Sequence, residues 1–283
     1  MNALNIGIVG LGLIGGSLAK ALRERTGHHL LGWDADPAVL DRARAEDVVA
    51  GVLTDEALAS CDLVLIAVRP QAVIQWLTDH ARLLNASAVV LDCAGTKSTV
   101  CAAGEALAAK YGFTFVGGHP MAGTEKIGYP ASRANLYDGA SMILVPGGSY
   151  PPRVRALVEE LSREIGFGGV KYTTAEEHDR TIAYTSQLAH VVSSSYIKSP
   201  TAQNYVGFSA GSFKDMTRVA FLNEPMWTEL FLENRDNLLR EIRELQTHLT
   251  EYADALEDGG FDRLEALLRE GRTLKVLSDN RRL

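Results

Sequence analysis

Cysteine is scarce: the 283 residues hold three, Cys61, Cys93 and Cys101. An odd count with no CxxC and no His at metal-ligand spacing excludes a disulfide framework and a bound metal, so these read as reduced core or near-core thiols. Basic blocks are missing too. Lys and Arg number 28 against 35 Asp and Glu, a formal net charge of −7, which disfavours a nucleic-acid partner. Long apolar runs are also absent. Uncharged stretches such as 181–197 and 139–152 are broken by Ser, Thr, Gln, Gly or Pro, so neither spans a bilayer and no membrane partner is expected. The opening Met1-Asn2-Ala3-Leu4-Asn5 lacks the basic and apolar regions of a signal peptide, which makes the cytoplasm the expected location. What is present is ordinary globular composition, 46% hydrophobic and 22% charged, in a chain long enough for about two domains.

Strand-length apolar runs at 4–9, 29–33, 63–68, 88–91, 114–116 and 141–145 alternate with helical segments, and a last candidate lies at 170–173. Alternation of this kind predicts βαβ units and a mostly parallel sheet. Asp36-Pro37, Arg69-Pro70 and Tyr150-Pro151-Pro152 mark turns, the last opening a helix to about residue 165. Beyond 173 the pattern turns helical, opened by Thr174-Ala175-Glu176-Glu177 with the spacing of a capping box. The domain boundary is placed there, giving 1–173 and 174–283. Nothing breaks the helical pattern from 225 to 256, where Leu238, Ile242, Leu245, Leu249, Tyr252 and Leu256 form a heptad-like seam. Such a seam fits packing within the chain or a subunit interface. After Gly259-Gly260 another amphipathic helix runs from 261 to about 277.

The first strand leads into Gly10-Leu11-Gly12-Leu13-Ile14-Gly15 and then into a helix, which is G-x-G-x-x-G in the setting that binds a dinucleotide. Gly10 permits the turn, Gly12 admits a pyrophosphate, and Gly15 lets helix approach strand. The helix N-terminus supplies amides and a positive dipole. Asp34 ends the second strand nineteen residues after Gly15, where a carboxylate accepts from the adenosine ribose. With Asp36 beside it and no Arg before Arg42, a 2′-phosphate is repelled and NAD is favoured over NADP. Leu13, Ile14 and Val68 complete the expected cofactor contacts. The fold class is therefore α/β, a doubly wound Rossmann-type sheet followed by an all-α C-terminal domain.

Three segments qualify to face the nicotinamide: Gly117-Gly118-His119-Pro120-Met121-Ala122-Gly123-Thr124-Glu125, just past a predicted strand; Glu176-Glu177-His178-Asp179-Arg180 running to Ser186-Gln187-Leu188-Ala189-His190; and Phe213-Lys214-Asp215-Met216-Thr217-Arg218 with Pro225-Met226-Trp227 beyond. In this order and at these separations, from about residue 4 to beyond 227, they resemble the prephenate/arogenate dehydrogenases of tyrosine biosynthesis. The resemblance implies that His119 is the catalytic histidine that takes the ring-hydroxyl proton while hydride passes to NAD. It implies that Arg218 binds a substrate carboxylate, that His190 contributes to substrate binding, and that Thr124 and Glu125 stand at the pocket rim. It also implies a homodimer built by the helical domain. Prephenate carries two carboxylates, and Lys97, Lys126, Lys214 and Arg218 are the cations available near the motifs.

Three positions depart from the family pattern, one of them Ala189, which replaces the proline of the family's SHLPH segment. Gly95 stands where many relatives carry a serine near the catalytic histidine, and Gln187 replaces the first histidine of the family's SHLPH segment, where it bears on how the substrate side chain is read. Oxidative decarboxylation of prephenate is the leading reading, with arogenate as the alternative substrate. A 3-hydroxyacid or imine dehydrogenase would share the fold but not these motifs, and an NAD(H) sensor would leave His119, His190 and Arg218 without a task. No strand-rich segment follows the last helix, so any feedback by tyrosine is expected at or near the active site.

Overall fold

The computed structural model describes residues 3–148 and 151–280; Met1 and Asn2 of the opening segment and Tyr150 of the proline turn lie outside them. Eight strands form one sheet: β1 (Asn5–Val9), β2 (His29–Trp33), β3 (Gly51–Val52), β4 (Leu63–Ile66), β5 (Val89–Asp92), β6 (Thr114–Pro120), β7 (Ser141–Val145) and β8 (Gly169–Tyr172). Their order is β3-β2-β1-β4-β5-β6-β7-β8, and every pairing is parallel except β6 with β7. The expected doubly wound sheet is thus present, with β3 added at the edge. Two residues are too few to show a periodicity, so the sequence carries no signal for β3.

Alternation along the central strands fills a core on each face. Ile6, Ile8, Leu63, Leu65, Val89 and Leu91 pack with the helices Leu13–Arg25 and Pro152–Ile165 on one side. Val64, Ile66, Val90 and Phe115 pack with Pro70–His80 and Ser98–Tyr111 on the other. Period-two side chains buried on both faces are what parallel strands under crossover helices require. All three cysteines are unpaired and buried in this core, where burial pushes the Cys93 and Cys101 thiols up to about 12.

β6 differs from its expected end at 116. Residues Thr114, Phe115 and Val116 pair with β5, and Gly117 to Pro120 continue as an antiparallel partner of β7. His119 is therefore inside a strand, opposite Ile143, rather than in a loop past one. The connection from β6 to β7 has no α-helix to carry the chain back across the sheet, so β7 returns antiparallel.

Thr174 caps the helix Ala175–Ile182 through the Glu177 amide at 3.2 Å, and the run continues through a π-helical segment, Ala183–Leu188, into Ala189–Tyr196. The helix expected over 225–256 is broken: Glu224–Glu233 ends at Asn234, and Arg235–Glu257 begins anew. Asn234 is buried, and its side-chain amide donates to the Asp179 carbonyl and to Gln187 Oε1, both at 2.8 Å. Those tertiary bonds hold Asn234 at φ −114°, ψ 27°, off the helical path. By compactness the chain divides at this point, into residues 1–234 and 235–283. In the second unit, Arg235–Glu257 and Phe261–Asn280 join through Gly259, which has φ +62°, and Arg263 pairs with Asp254 and Asp258. Among the described residues no helix is long and apolar enough to cross a membrane.

Candidate active site

The loop after β1 is shaped by close approach. Gly10 has φ +83°, and a Cβ on Gly15 would lie 1.8 Å from the Gly10 carbonyl oxygen, so neither position accepts a side chain. Val68, at the end of β4, packs where a Gly10 Cβ would stand. Gly12 is different: no atom lies within 4 Å of its Cβ direction, and as N-cap it leaves the first amides of Leu13–Arg25, those of Leu13 and Ile14 among them, without a side-chain acceptor. Orphan amides, an aligned dipole and open space suit a pyrophosphate. Asp34 flanks this loop. Its Oδ2 accepts from the Leu11 amide at 2.7 Å and its Oδ1 from the Asp36 amide at 2.9 Å, which leaves lone pairs for ribose hydroxyls. These residues fit a dinucleotide.

His119 stands on the same carboxyl edge of the sheet, carried there by the extension of β6. Beneath it lies a buried ion pair, Lys97 with Asp92, whose carboxylate also accepts from the Ala94 amide and, at 3.1 Å, from the Gly118 amide. Lys97 is therefore not available to a substrate carboxylate: its ammonium is fully buried and spent on Asp92.

His119 Nδ1 lies 2.9 Å from His178 Nε2, and His178 Nδ1 lies 2.8 Å from Asp179 Oδ1. Asp179 also accepts from the Lys97 amide, the Ser98 amide and the Ser98 hydroxyl. Burial, followed by His178 and Lys97, holds His119 well below the ordinary histidine value of 6.5, against an opposing pull from Asp179. Burial likewise lowers His178, with its bond to Asp179 opposing. For Asp179 burial acts upward, but the hydrogen bonds from His178, Ser98 and the two amides bring it below the usual carboxylate value. At neutral pH the array is two neutral imidazoles backed by an anion.

A second group forms around His190. Its Nδ1 bonds the Val219 carbonyl at 3.0 Å, its ring packs on Trp227 with centroids 3.8 Å apart, and burial, then the charge of Arg218, lowers its pKa against the bond to Val219. Arg218 itself is exposed at the start of a 3-10 turn. Of the other expected site residues, Thr124 bonds the Lys126 backbone at 3.3 Å, while Glu125 and Lys214 are exposed. Site-forming residues that received no role from the sequence are His178, Asp179 and Trp227, which lie inside the quoted motifs, and Asn234, which lies outside them. An adjacent His-Asp pair on the inward face of an amphipathic helix was the available signal for the first two.

Residues 18–171 match the family model described as prephenate dehydrogenase, nucleotide-binding domain, and residues 174–270 match that described as prephenate dehydrogenase, dimerization domain. The chain belongs to the prephenate dehydrogenase family. A cyclohexadienyl dehydrogenase of Zymomonas mobilis is 31% identical over 273 residues, 91% of this chain and 90% of that protein. The prephenate dehydrogenase of Bacillus subtilis is 29% identical over 263 residues, 86% of this chain and 69% of that one. Among solved structures, a prephenate dehydrogenase of A. aeolicus in complex with hydroxyphenyl propionate and NAD+ superposes with a TM-score of 0.86 at 28% identity, covering 98% of each chain.

Against that family pattern, two of the departures, Gly95 and Gln187, have structural surroundings. A Cβ on Gly95 would stand 3.1 Å from Leu230 Cδ2, so Leu230 crowds the place of the family serine, and the neighbouring Thr96 hydroxyl is buried without a hydrogen-bond partner among the described residues. Gln187 is packed among protein groups. It is buried, its Nε2 donating to the Leu230 carbonyl at 3.0 Å and its Oε1 accepting from Asn234, so the family histidine is replaced by a packing amide.

Proposed function

We propose that this member of the prephenate dehydrogenase family oxidatively decarboxylates prephenate to 4-hydroxyphenylpyruvate in the cytoplasm, with residues 1–173 binding NAD and residues 174–283 binding substrate and forming a homodimer. The observation that carries the chemistry is His119, a neutral imidazole held on the sheet edge that bears the dinucleotide loop. Gly10, Gly12 and Gly15 with the amides of Leu13 and Ile14 cradle the pyrophosphate, Asp34 receives the ribose hydroxyls, and Val68 walls the loop. NAD, when bound, supplies the hydride acceptor. His119 takes the proton of the ring hydroxyl as the carbon beneath it loses hydride. The bond to the ring carboxylate then breaks, CO2 leaves, its electron pair completes the aromatic ring, and the ring oxygen recovers the proton from His119 as the phenol. Arg218 holds a substrate carboxylate with its forked donors, beside His190. Thr124, Glu125 and Lys214 form the outer contacts.

The test is initial-rate NADH formation with prephenate or arogenate, each with NAD or NADP. Turnover of prephenate with NAD is expected, and its absence in protein that binds NAD overturns the reading. Arg218→Ala is expected to raise KM for prephenate by about 10–100-fold, the loss of a charge-assisted bond of roughly 1.5–3 kcal/mol.

The homodimer rests on the dimerization-domain match and on the terminal helices, where Leu249 and Leu256 of the heptad seam are 59% and 66% exposed, with Leu268, Leu274 and Leu277 also exposed. Leu249→Glu combined with Leu256→Glu is expected to shift the sedimentation coefficient from dimer to monomer; a dimer that persists at low micromolar concentration refutes the seam as the interface.

A further inference from the structure

We propose that His178 and Asp179 are positioning residues that fix the tautomer of His119, so that its Nδ1 carries the proton and its Nε2 lone pair is the one offered to the substrate. This rests on the reading of His119 as the base. Each oxygen of Asp179 receives two donors, Oδ1 from the Lys97 amide and His178 Nδ1, Oδ2 from the Ser98 amide and hydroxyl. An ionised carboxylate only accepts, and with both oxygens filled there is no outlet for a carboxylic proton, so the proton between His178 and Asp179 sits on His178 Nδ1.

His178 is the neutral imidazole near pH 7, because burial holds it below the ordinary histidine value against its bond to Asp179, with the Lys97 charge acting in the same direction as burial. A neutral imidazole has one N–H. His178 Nε2 must then be an acceptor, and at 2.9 Å its partner His119 Nδ1 must be the donor. The rings meet at 58° with centroids 5.1 Å apart, which is an edge-on contact and not a stack. His119 Nε2 is left bare. The other tautomer would place two lone pairs against each other at His119 Nδ1 and His178 Nε2, both in a buried setting. Water enforces no such choice on a free imidazole, so the selection belongs to Asp179 and is relayed through His178. The main-chain carbonyl of Asp179 is itself held by Asn234, which keeps this turn of helix in place.

The decisive measurement is nitrogen-15 NMR of protein with labelled histidine, in which long-range couplings report which ring nitrogen of each of the seven histidines is protonated. With His119 and His178 assigned by substitution, both are expected as Nδ1–H at pH 7. An Nε2–H resonance for His119 overturns the proposal outright, whatever the catalytic role of His119. Kinetics gives the second readout. His178→Leu is expected to lower kcat by about 10–100-fold, a part of the general-base contribution, while KM for prephenate and NAD stays within about twofold. His178→Gln, whose side-chain carbonyl can accept from Nδ1–H, is expected to recover most of that loss. If His119→Asn is inactive yet His178→Leu turns over at the parent kcat, the relay fails and the base stands. If His119→Asn retains full activity, the base reading fails, and the tautomer spectrum still decides the relay.

Discussion

Replacement of His119 by Asn lowers kcat for prephenate oxidation by about 10³-fold, within the range of a general base removed from a transition state, and leaves the NAD dissociation constant unchanged. The split follows from position. His119 sits on the antiparallel end of β6, whereas the glycine loop begins at the end of β1, with β4 and β5 between them. Asn keeps a polar side chain that still reaches the His178 side but has no lone pair basic enough to take a hydroxyl proton. The pH profile carries the sign. His119 works as the neutral imidazole, and burial with His178 and Lys97 holds its pKa well below 6.5, so kcat/KM is level around neutrality and falls only as pH drops through that depressed value. An acid limb centred at or above the ordinary histidine value of about 6.5 contradicts the geometry. Stopped or continuous NADH assays across pH, with calorimetric titration of NAD for the variant, measure both halves.

The second large effect separates two glycines that look alike in the motif. Gly12→Ala is expected to weaken NAD binding by about 10–100-fold, roughly 1.4–3 kcal/mol, with Tm unmoved. Nothing in the protein lies within 4 Å of the added methyl, so in the proposed binding mode what it meets is the cofactor phosphate. Gly15→Ala fails by another route. Its methyl would stand 1.8 Å from the Gly10 carbonyl oxygen, which forces the helix Leu13–Arg25 off the strand. Overpacking of this sort costs about 1–3 kcal/mol, so Tm falls by several degrees together with NAD affinity. Equal Tm values for the two variants would show that the loop yields in a way that its close contacts do not allow. Thermal unfolding and NAD titration of both proteins settle the comparison.

Legibility differs between the two halves of the site. The dinucleotide loop was readable because a local sequence builds it: strand, three glycines, helix and an acidic strand end lie within residues 5–34, and Gly15 answers to the Gly10 carbonyl five residues before it. Asp34 is the one long step, and it is bound to the Leu11 amide at 2.7 Å. The catalytic half assembles from distant pieces. His119 meets His178 across 59 residues, Lys97 and Ser98 meet Asp179 across more than 80, and Gln187 meets Asn234 across 47. No periodicity in one segment reports a partner in another, so His178 and Asp179 were visible only as letters of a motif, and the bonds of Gln187 to Leu230 and Asn234 could not be read at all.

By itself the sequence determined the alternation of strands and helices, the parallel sheet, the glycine loop of the dinucleotide-binding domain and the acidic strand end beside it, because these follow from local propensity, side-chain period and backbone conformation. Tertiary structure alone decided the rest. It carried β6 past the end of β5 and so put His119 inside a strand, it broke the long helix at Asn234, and it spent Lys97 on Asp92. The physical reason is common to all three: a buried polar group must find its partner wherever packing has brought one, and the need to satisfy it overrides what the neighbouring residues prefer.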